Sequence, residues 1–291
     1  MTLIEEFHRT AAGDCNVAVG PKNGPPLIFF HGVTRRWQCF LPILATLSSR
    51  WQVFAMDFPG HGRSHAKLED YHVSSYSRVA GEWLRSRFQE PVAIYGHSLG
   101  AMVAAEVSGQ SGSPVAAAIL EDPPFHTMGE RIATKPLLSY FQGLEAFAGK
   151  IDPANPDQLR GLGELQITDP VTGNVSRVGD TRPPTAIRFM ADCLARLDPK
   201  VLAPITSESW LHHYSVEQVS RQLTMPVLLL QGDVEFGGML ENPDLGILQE
   251  LAADVTISSR EGVGHQMHWS DPGWVTNECT LFLETMEIRK K

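Results

Sequence analysis

Short apolar runs rich in Val, Ile, Leu and Phe recur along the chain, and segments with helical spacing separate most of them. The runs are continuous and do not alternate with polar residues, which is typical of strands buried on both faces. They occupy residues 26–30, 51–56, 92–96, 115–120, 226–232 and 254–259. The helical segments are 36–49, 74–89, 98–110, 243–252 and 272–288. This order predicts an α/β fold, in which helices flank a mostly parallel sheet.

Two parts of the chain depart from this alternation. Weaker strand patterns near residues 4–9 and 15–19 indicate an antiparallel hairpin at the edge of the sheet. A long segment without a strong strand separates the fourth apolar run from the fifth. It carries too much apolar material for a disordered linker, so we expect a mostly helical cap inserted above the sheet. The expected division is a core of residues 1–124 and 223–291 with a cap of residues 125–222.

Composition and charge narrow the class of function. The chain has 33 Asp and Glu against 24 Lys and Arg, a net charge of -9, and no basic run. Nucleic-acid binding needs a basic surface, so we expect no nucleic-acid partner. No apolar stretch has the length of a membrane span, and the acidic N-terminal residues do not resemble a secretory signal. We therefore expect a cytoplasmic protein with no membrane partner.

Cysteines and adjacent histidines give no indication of a metal. The four cysteines lie far apart and form no CxxC pair, which indicates reduced thiols. Neighbouring residues on a helix or strand point apart, so His212 and His213 would not share a ligand, and no third ligand accompanies them. We expect no metal site and no cofactor.

The pentapeptide Gly96-His97-Ser98-Leu99-Gly100 places a serine directly after an apolar strand and directly before a helix. A hydroxyl at that corner contributes nothing to packing. The predicted turn is so sharp that side chains at 96 and 100 would collide with backbone. Such a turn exposes the Ser98 oxygen at the N-terminus of a helix, where negative charge is stabilised.

A nucleophilic serine needs a base, and the loop after the last apolar run contains one. His265 lies there between glycines, far downstream of Ser98, which fits the chain order serine, acid, histidine. His268 is the alternative base. It ranks lower because His265 is the one in the flexible glycine loop.

Four separated motifs resemble those of the α/β-hydrolase fold family, in its serine esterase and lactonase branch with a helical cap. The motifs are HGVTRRW (31–37), DFPGHGRS (57–64), GHSLG (96–100) and GVGHQMH (262–268). The resemblance implies Ser98 as nucleophile and His265 as base, with an oxyanion hole formed by the backbone N–H groups of Val33 and Leu99. The DFPGHGRS loop is expected to be structural and to border the substrate pocket.

The acid of the predicted triad has two candidates. The family usually carries it three residues after the glycine that ends the fifth apolar run, where this chain has Glu235. Other family members carry the acid at the end of the preceding strand. Asp122 lies at that position in this chain. We favour Asp122, because a short side chain beside a rigid Pro-Pro turn is held more firmly than Glu235 beside two glycines. Glu121 and Asp233 rank below both.

The serine also argues against two reactions of the family, because relatives that resemble haloalkane dehalogenases or epoxide hydrolases use an aspartate at that position. We expect hydrolysis of a small-molecule carboxylic ester or lactone through an acyl-enzyme intermediate. A long cap suits a bulky substrate, and a faint overall resemblance suggests a macrocyclic lactone such as a macrolide. The alternatives are a carbon–carbon bond hydrolase or perhydrolase on the same triad, and a non-hydrolytic small-ligand receptor. Besides Arg35 and Arg36, the expected substrate contacts are His31, Trp37, Phe125, His126 and Trp210.

Overall fold

The computed structural model describes residues 2–134, 136–169 and 172–286. Its strands are β1 Ile4–Thr10, β2 Gly13–Val19, β3 Pro26–Phe30, β4 Gln52–Met56, β5 Val92–His97, β6 Val115–Glu121, β7 Gln166–Thr168, β8 Val175–Arg177, β9 Val227–Gly232 and β10 Val255–Arg260. Its α-helices are α1 Leu41–Leu47, α2 Val73–Arg87, α3 Leu99–Gly109, α4 Leu137–Glu145, α5 Pro156–Gly163, α6 Val178–Thr181, α7 Pro184–Ala195, α8 Ala203–Thr206, α9 Val216–Gln222, α10 Asn242–Leu251, α11 Met267–Ser270 and α12 Pro272–Thr285. Short 3-10 helices cover Trp37–Phe40, Phe125–Thr127, Ile132–Thr134, Pro199–Leu202 and Val234–Phe236.

The main sheet confirms the predicted α/β fold class. Eight strands lie in the order β1-β2-β4-β3-β5-β6-β9-β10 within the described ranges. Strands β3 to β6, β9 and β10 pair in parallel. The hairpin β1-β2 is antiparallel and joins β4 at one edge, as its weaker pattern predicted.

Alternate residues of the central strands pack against two separate layers of helices. In β3, Ile28 and Phe30 belong to the hydrophobic cluster that includes α2 and α3, whereas Leu27 and Phe29 belong to the cluster that includes α1 and α12. Because successive side chains of a strand point to opposite faces, a strand covered on both faces must be apolar throughout. The continuous apolar runs in the sequence have this cause.

Two predicted helices differ from the observed ones in detail. The segment 36–49 forms a 3-10 turn and then α1, whose first turn contains Pro42, a residue that tolerates that position because it needs no amide N–H there. The helix predicted over 272–288 is observed as α12 to Thr285, and residues 287 and 288 lie outside the described residues.

The segment between β6 and β9 contains α4 to α9 and one small two-stranded sheet, β7-β8, that the sequence did not predict. Each of these strands has three residues, which is too short for a periodic pattern to appear. None of the helices in the described part of the chain combines the length and apolarity that a bilayer crossing requires.

Candidate active site

The turn between β5 and α3 holds Ser98 in a backbone conformation that side chains rarely adopt, with φ 55° and ψ -118°. A Cβ on Gly96 would lie 2.1 Å from the carbonyl oxygen of Gly100, and a Cβ on Gly100 would lie 1.9 Å from that of Phe30. Both distances are far below van der Waals contact, so the predicted collision is confirmed. The glycines let the chain turn sharply enough to place Ser98 at the start of α3.

Asp122 directly follows β6 and is fully buried, with a φ of 46°. Its Oδ1 accepts hydrogen bonds from the backbone N–H of Gly232 at 3.2 Å and Leu240 at 3.1 Å, and its Oδ2 accepts one from Met239 at 2.7 Å. The Nδ1 of His265 donates to the same Oδ2 at 2.6 Å. The carboxylate is therefore held by backbone groups and oriented toward one imidazole.

Glu235, the alternative acid, lies in the exposed 3-10 turn after β9. Its backbone N–H donates to Asp233 Oδ1 at 3.0 Å, and its carboxylate is not hydrogen-bonded to a histidine within the described ranges. Asp233 itself accepts the N–H of Gly262 at 2.9 Å, which ties the loop after β9 to the histidine loop. The structure thus brings Asp122 to His265 and leaves Glu235 apart.

Ser98 and His265 share the wall of one cavity of about 770 Å³. In the described part of the chain no hydrogen bond joins the Ser98 hydroxyl to His265, and such contacts are often loose before substrate binds. Gly32 lies directly against the serine, since a Cβ built on it would be 3.2 Å from Ser98 Cβ. Val33, the first predicted oxyanion donor, also lines the cavity, while the second, Leu99, is the buried first residue of α3.

A second acid–histidine pair lies beside the first. Glu121 Oε1 accepts the backbone N–H of His268 at 2.9 Å, and the His268 Nδ1 donates to both Glu121 oxygens at 2.9 and 2.8 Å. The Tyr95 hydroxyl donates to the same carboxylate. His268 and Glu121, each predicted as a weaker alternative for a catalytic role, therefore pair with one another. The matching pattern in the sequence, adjacent acids at 121–122 and histidines at 265 and 268, could have revealed this.

His97 connects the two pairs. Its Nε2 donates to the backbone carbonyl of His265 at 2.9 Å, and its ring centroid lies 4.6 Å from the rings of both His265 and His268. Burial lowers the pKa of His97 well below its usual range, so the ring is neutral at neutral pH and carries its one proton on Nε2. His97 thereby fixes the backbone position of His265.

Among the described residues, one group has side-chain nitrogen and oxygen atoms close enough together to hold a metal ion. It consists of His97, Glu121 and His268, whose potential ligand atoms lie within 4.8 Å of one another. All three side chains are buried. The protons of His97 Nε2 and His268 Nδ1 point at oxygen acceptors, so these nitrogens do not offer lone pairs to an ion. The arrangement fits a buried hydrogen-bond network better than a metal site.

Replacement of Glu121 by Gln is expected to destabilise the protein in a pH-dependent way. Burial raises the pKa of Glu121, but the nearby His268 and His97 rings and the bonds from His268 and Tyr95 outweigh it and lower the pKa from 4.5 to about 2. Because the folded pKa is depressed, the stabilisation is complete above pH 4.5 and is lost as the pH falls toward 2. Breaking a buried pair costs about 3–5 kcal/mol, which urea unfolding at pH 7 would measure.

The exposed Glu90→Gln variant is the control for this charge change and should match the wild type. The difference in unfolding free energy between the wild type and Glu121→Gln should shrink between pH 4.5 and 2.5. A difference that stays constant over that pH range would contradict the role of the Glu121 charge.

The cavity lining differs from the predicted set of substrate contacts. Of the seven predicted residues, the cavity wall in the described chain includes Arg35 but not His31, Arg36, Trp37, Phe125, His126 or Trp210. Phe125 and Trp210 are buried in the hydrophobic cluster that includes α2 and α3. Each of the two histidines and Trp37 has polar partners elsewhere.

Those partners explain why the three polar candidates do not face the cavity. His31 donates from Nδ1 to the Gly32 carbonyl at 2.8 Å and accepts the Phe58 N–H at Nε2 at 3.0 Å. Trp37 Nε1 donates to Glu5 at 2.7 Å. His126 Nδ1 lies 2.7 Å from Asp244 Oδ1. Arg36, also predicted at the rim, forms an ion pair with Asp192 at 2.7 Å.

The loop of residues 57–64 has a structural role, but it does not border the cavity. Asp57 accepts the backbone N–H of Trp37 at 2.8 Å and of Arg63 at 2.9 Å, and the Asn16 side chain at 2.9 Å. The aspartate therefore holds three separate segments of the chain together.

Trp210→Ala is expected to lower stability without changing substrate preference. The side chain is 1% exposed, and the Trp210 carbonyl accepts the N–H of Val73 at the start of α2. Loss of a buried tryptophan costs about 3–5 kcal/mol. Phe189→Ala, on the cavity wall, is the comparison variant and should shift the kcat/KM ratio between bulky and small esters. A shifted ratio in Trp210→Ala, with unchanged thermal stability, would contradict this assignment.

The parallel sheet and the strained serine turn after its β5 strand are features of the α/β-hydrolase fold. A family model described as the alpha/beta hydrolase fold matches residues 25–165, and the chain has the α/β-hydrolase fold.

Comparison with individual proteins extends this similarity beyond the matched segment. A 2-(acetamidomethylene)succinate hydrolase of Mesorhizobium japonicum is 23% identical over 273 residues, which cover 90% of this chain and 89% of the relative. The deformylase Nfo of Pseudomonas putida superposes with a TM-score of 0.73 at 18% identity and covers 95% of this chain and 100% of its own. The carboxylesterase CesB of Bacillus subtilis gives a TM-score of 0.72 at 17% identity, with coverages of 97% and 92%.

Proposed function

We propose that this chain is a serine hydrolase that cleaves a carboxylic ester or lactone through an acyl-enzyme intermediate. The observation that carries the proposal is the 2.6 Å hydrogen bond between Asp122 and His265 beside the cavity that Ser98 lines. Nucleophile, base and orienting acid are then present in their required order along the chain.

In this mechanism Asp122 fixes the protonation of His265. The Nδ1 proton points at the carboxylate, so Nε2 carries the lone pair that accepts the Ser98 proton as the oxygen attacks the substrate carbonyl carbon. His265 then returns that proton to the leaving alkoxide as the carbon–oxygen bond breaks. Water hydrolyses the acyl-serine by the same steps in turn.

The negative charge on the carbonyl oxygen needs donors, and we assign the backbone N–H groups of Val33 and Leu99 to this role. Val33 follows Gly32, which lies against Ser98, and Leu99 begins α3. The N-terminus of that helix also favours negative charge. A donor in an oxyanion hole contributes about 10²–10³ in rate.

We also propose that residues 125–222 form a cap over this cavity. Support comes from the wall itself, to which α4 and α7 contribute Tyr140, Phe189 and Met190. Cap residues would then select the substrate while core residues perform the reaction.

The relatives support hydrolysis but differ in their named substrates. One is named as a carboxylesterase, another as a hydrolase of a succinate derivative. A test panel should therefore contain chromogenic esters, lactones including a macrolide, the acylated succinate derivative and a diketone-like acid for the carbon–carbon alternative. Turnover restricted to the diketone-like acid would favour that alternative.

A fluorophosphonate probe, which phosphonylates activated serines, tests the nucleophile directly. We expect a mass increase on the peptide that contains Ser98, and no labelling in Ser98→Ala or His265→Ala. Absence of labelling in the wild type, together with no turnover across the panel, would contradict the enzyme and favour a small-ligand receptor.

A further inference from the structure

Among the described residues of the cavity wall, positive charges outnumber negative ones. Its lining residues include two guanidinium groups, Arg35 and Arg182, and one carboxylate, Glu241. The Oε2 of Glu241 lies 3.1 Å from Nε of Arg131, which also pairs with Asp244, so this carboxylate already has a cationic partner other than the two cavity arginines. Within the described residues, the two cavity arginines have no carboxylate partner.

The contacts of Arg35 and Arg182 are weak. Arg35 Nη1 donates to Thr34 at 3.3 and 3.4 Å, and Arg182 Nη1 contacts the Met190 sulfur at 3.4 Å. Within the described ranges neither arginine forms an ion pair. Their neighbours along the chain differ: Arg36 pairs with Asp192 at 2.7 Å and Arg177 pairs with Asp180 at 2.9 Å.

This lack of partners is unexpected from composition. With 33 Asp and Glu against 24 Lys and Arg, carboxylates are the more abundant partners in this chain. Both side chains are half-buried, where charges are less screened than at an open surface. Two guanidinium groups that lack a carboxylate partner among the described residues, both on the wall of one cavity, indicate that the missing negative charge arrives with the ligand.

The two arginines come from two widely separated segments of the chain. Arg35 lies just after the Gly32–Val33 segment, and its backbone N–H donates to the Gly32 carbonyl at 3.1 Å. Arg182 lies between α6 and α7 in the segment that we assign to the cap. Each presents a planar fork of N–H donors that matches a carboxylate.

We propose that the cavity binds a substrate that carries a free carboxylate in addition to its scissile acyl group, and that Arg35 and Arg182 recognise this carboxylate. The reaction part of this proposal rests on the proposed hydrolase function, whereas the anion binding does not. The substrate class is thus the half-ester or acyl derivative of a dicarboxylic acid.

Matched chromogenic esters test the charge preference. p-Nitrophenyl monoesters of adipate, pimelate and suberate are each compared with the neutral p-nitrophenyl ester of equal acyl length. For at least one length, we expect wild-type kcat/KM to be about tenfold or more higher for the anionic ester, with the preference falling as salt is added. Equal or higher kcat/KM for the neutral ester at every length would overturn the proposal.

Variants of the two arginines test whether these residues cause the preference for the anionic ester. Arg182→Gln and Arg35→Gln are expected to lower the anionic-to-neutral kcat/KM ratio about 10- to 100-fold, chiefly through KM of the anionic ester. Arg188→Gln, which removes an exposed arginine of α7 away from the cavity, should keep the wild-type ratio. A ratio that survives in both cavity variants, or that falls equally in Arg188→Gln, would contradict the assignment.

Binding to the inactive Ser98→Ala protein separates this proposal from the hydrolase proposal. Calorimetry with free adipate, pimelate and suberate should detect binding that Arg182→Gln weakens at least tenfold. If no ester is hydrolysed but the dicarboxylates bind, the result contradicts the hydrolase proposal and supports the anion site. If esters are hydrolysed without a charge preference and no dicarboxylate binds, the result supports the hydrolase proposal and contradicts the anion site.

Discussion

Ser98→Ala is expected to reduce ester turnover by about 10⁴-fold or more, with no change in fold. Alanine fits the same turn, since the steric demand falls on Gly96 and Gly100, and only the attacking oxygen is lost. Initial rates on a p-nitrophenyl ester, with circular dichroism and thermal unfolding as checks of the fold, would measure the effect.

Ser108→Ala is the matched control for this experiment. Ser108 is buried in α3, the helix that begins directly after Ser98. Its hydroxyl donates to the Ala104 carbonyl at 2.6 Å, and Ser108 does not line the cavity. His265→Ala should match the Ser98→Ala loss, and the double variant should be little worse, because nucleophile and base act as one unit. A Ser98→Ala protein with a tenth of wild-type activity, or additive losses in the double variant, would contradict the triad.

Asp122→Asn is expected to lower the rate by about 10⁴-fold, whereas Glu235→Gln should lower it by tenfold or less. The amide keeps the shape of the aspartate but cannot hold the His265 Nδ1 proton or stabilise the imidazolium that forms. Glu235 is exposed and apart from the histidine, so its charge should matter little. Single-turnover and steady-state rates on the same ester would give both numbers.

The Asp122→Asn experiment needs a control for damage to the fold, because three backbone N–H groups also bind this carboxylate. Asp244→Asn supplies it. Asp244 is also fully buried and lies 2.7 Å from a histidine, His126, but neither residue lines the cavity. Asp244→Asn should lose stability and keep most activity. The reverse ranking of Asp122→Asn and Glu235→Gln would move the acid to the loop after β9.

The sequence alone determined the sheet and the serine turn. Apolar runs such as 26–30 predict buried strands because both faces of a central strand need apolar side chains, a property that no distant residue changes. The glycines at 96 and 100 likewise predict the turn, because the collision they avoid is with backbone at the turn itself and in the adjacent strand. The choice of Asp122 over Glu235 as the partner of His265 also followed from local stiffness.

Only the tertiary structure decided which side chains face the cavity and that His268 pairs with Glu121. Trp210 and Phe125 are large and aromatic, as a substrate contact would be, yet both pack into the core. Arg35 and Arg182, which have no ion-pair partner in the described part of the chain, resemble the paired Arg36 and Arg177 in sequence and differ in what the folded chain brings near them. Residue type and spacing set local conformation, whereas pairing and exposure depend on segments far apart in the chain, whose approach a single sequence does not encode locally.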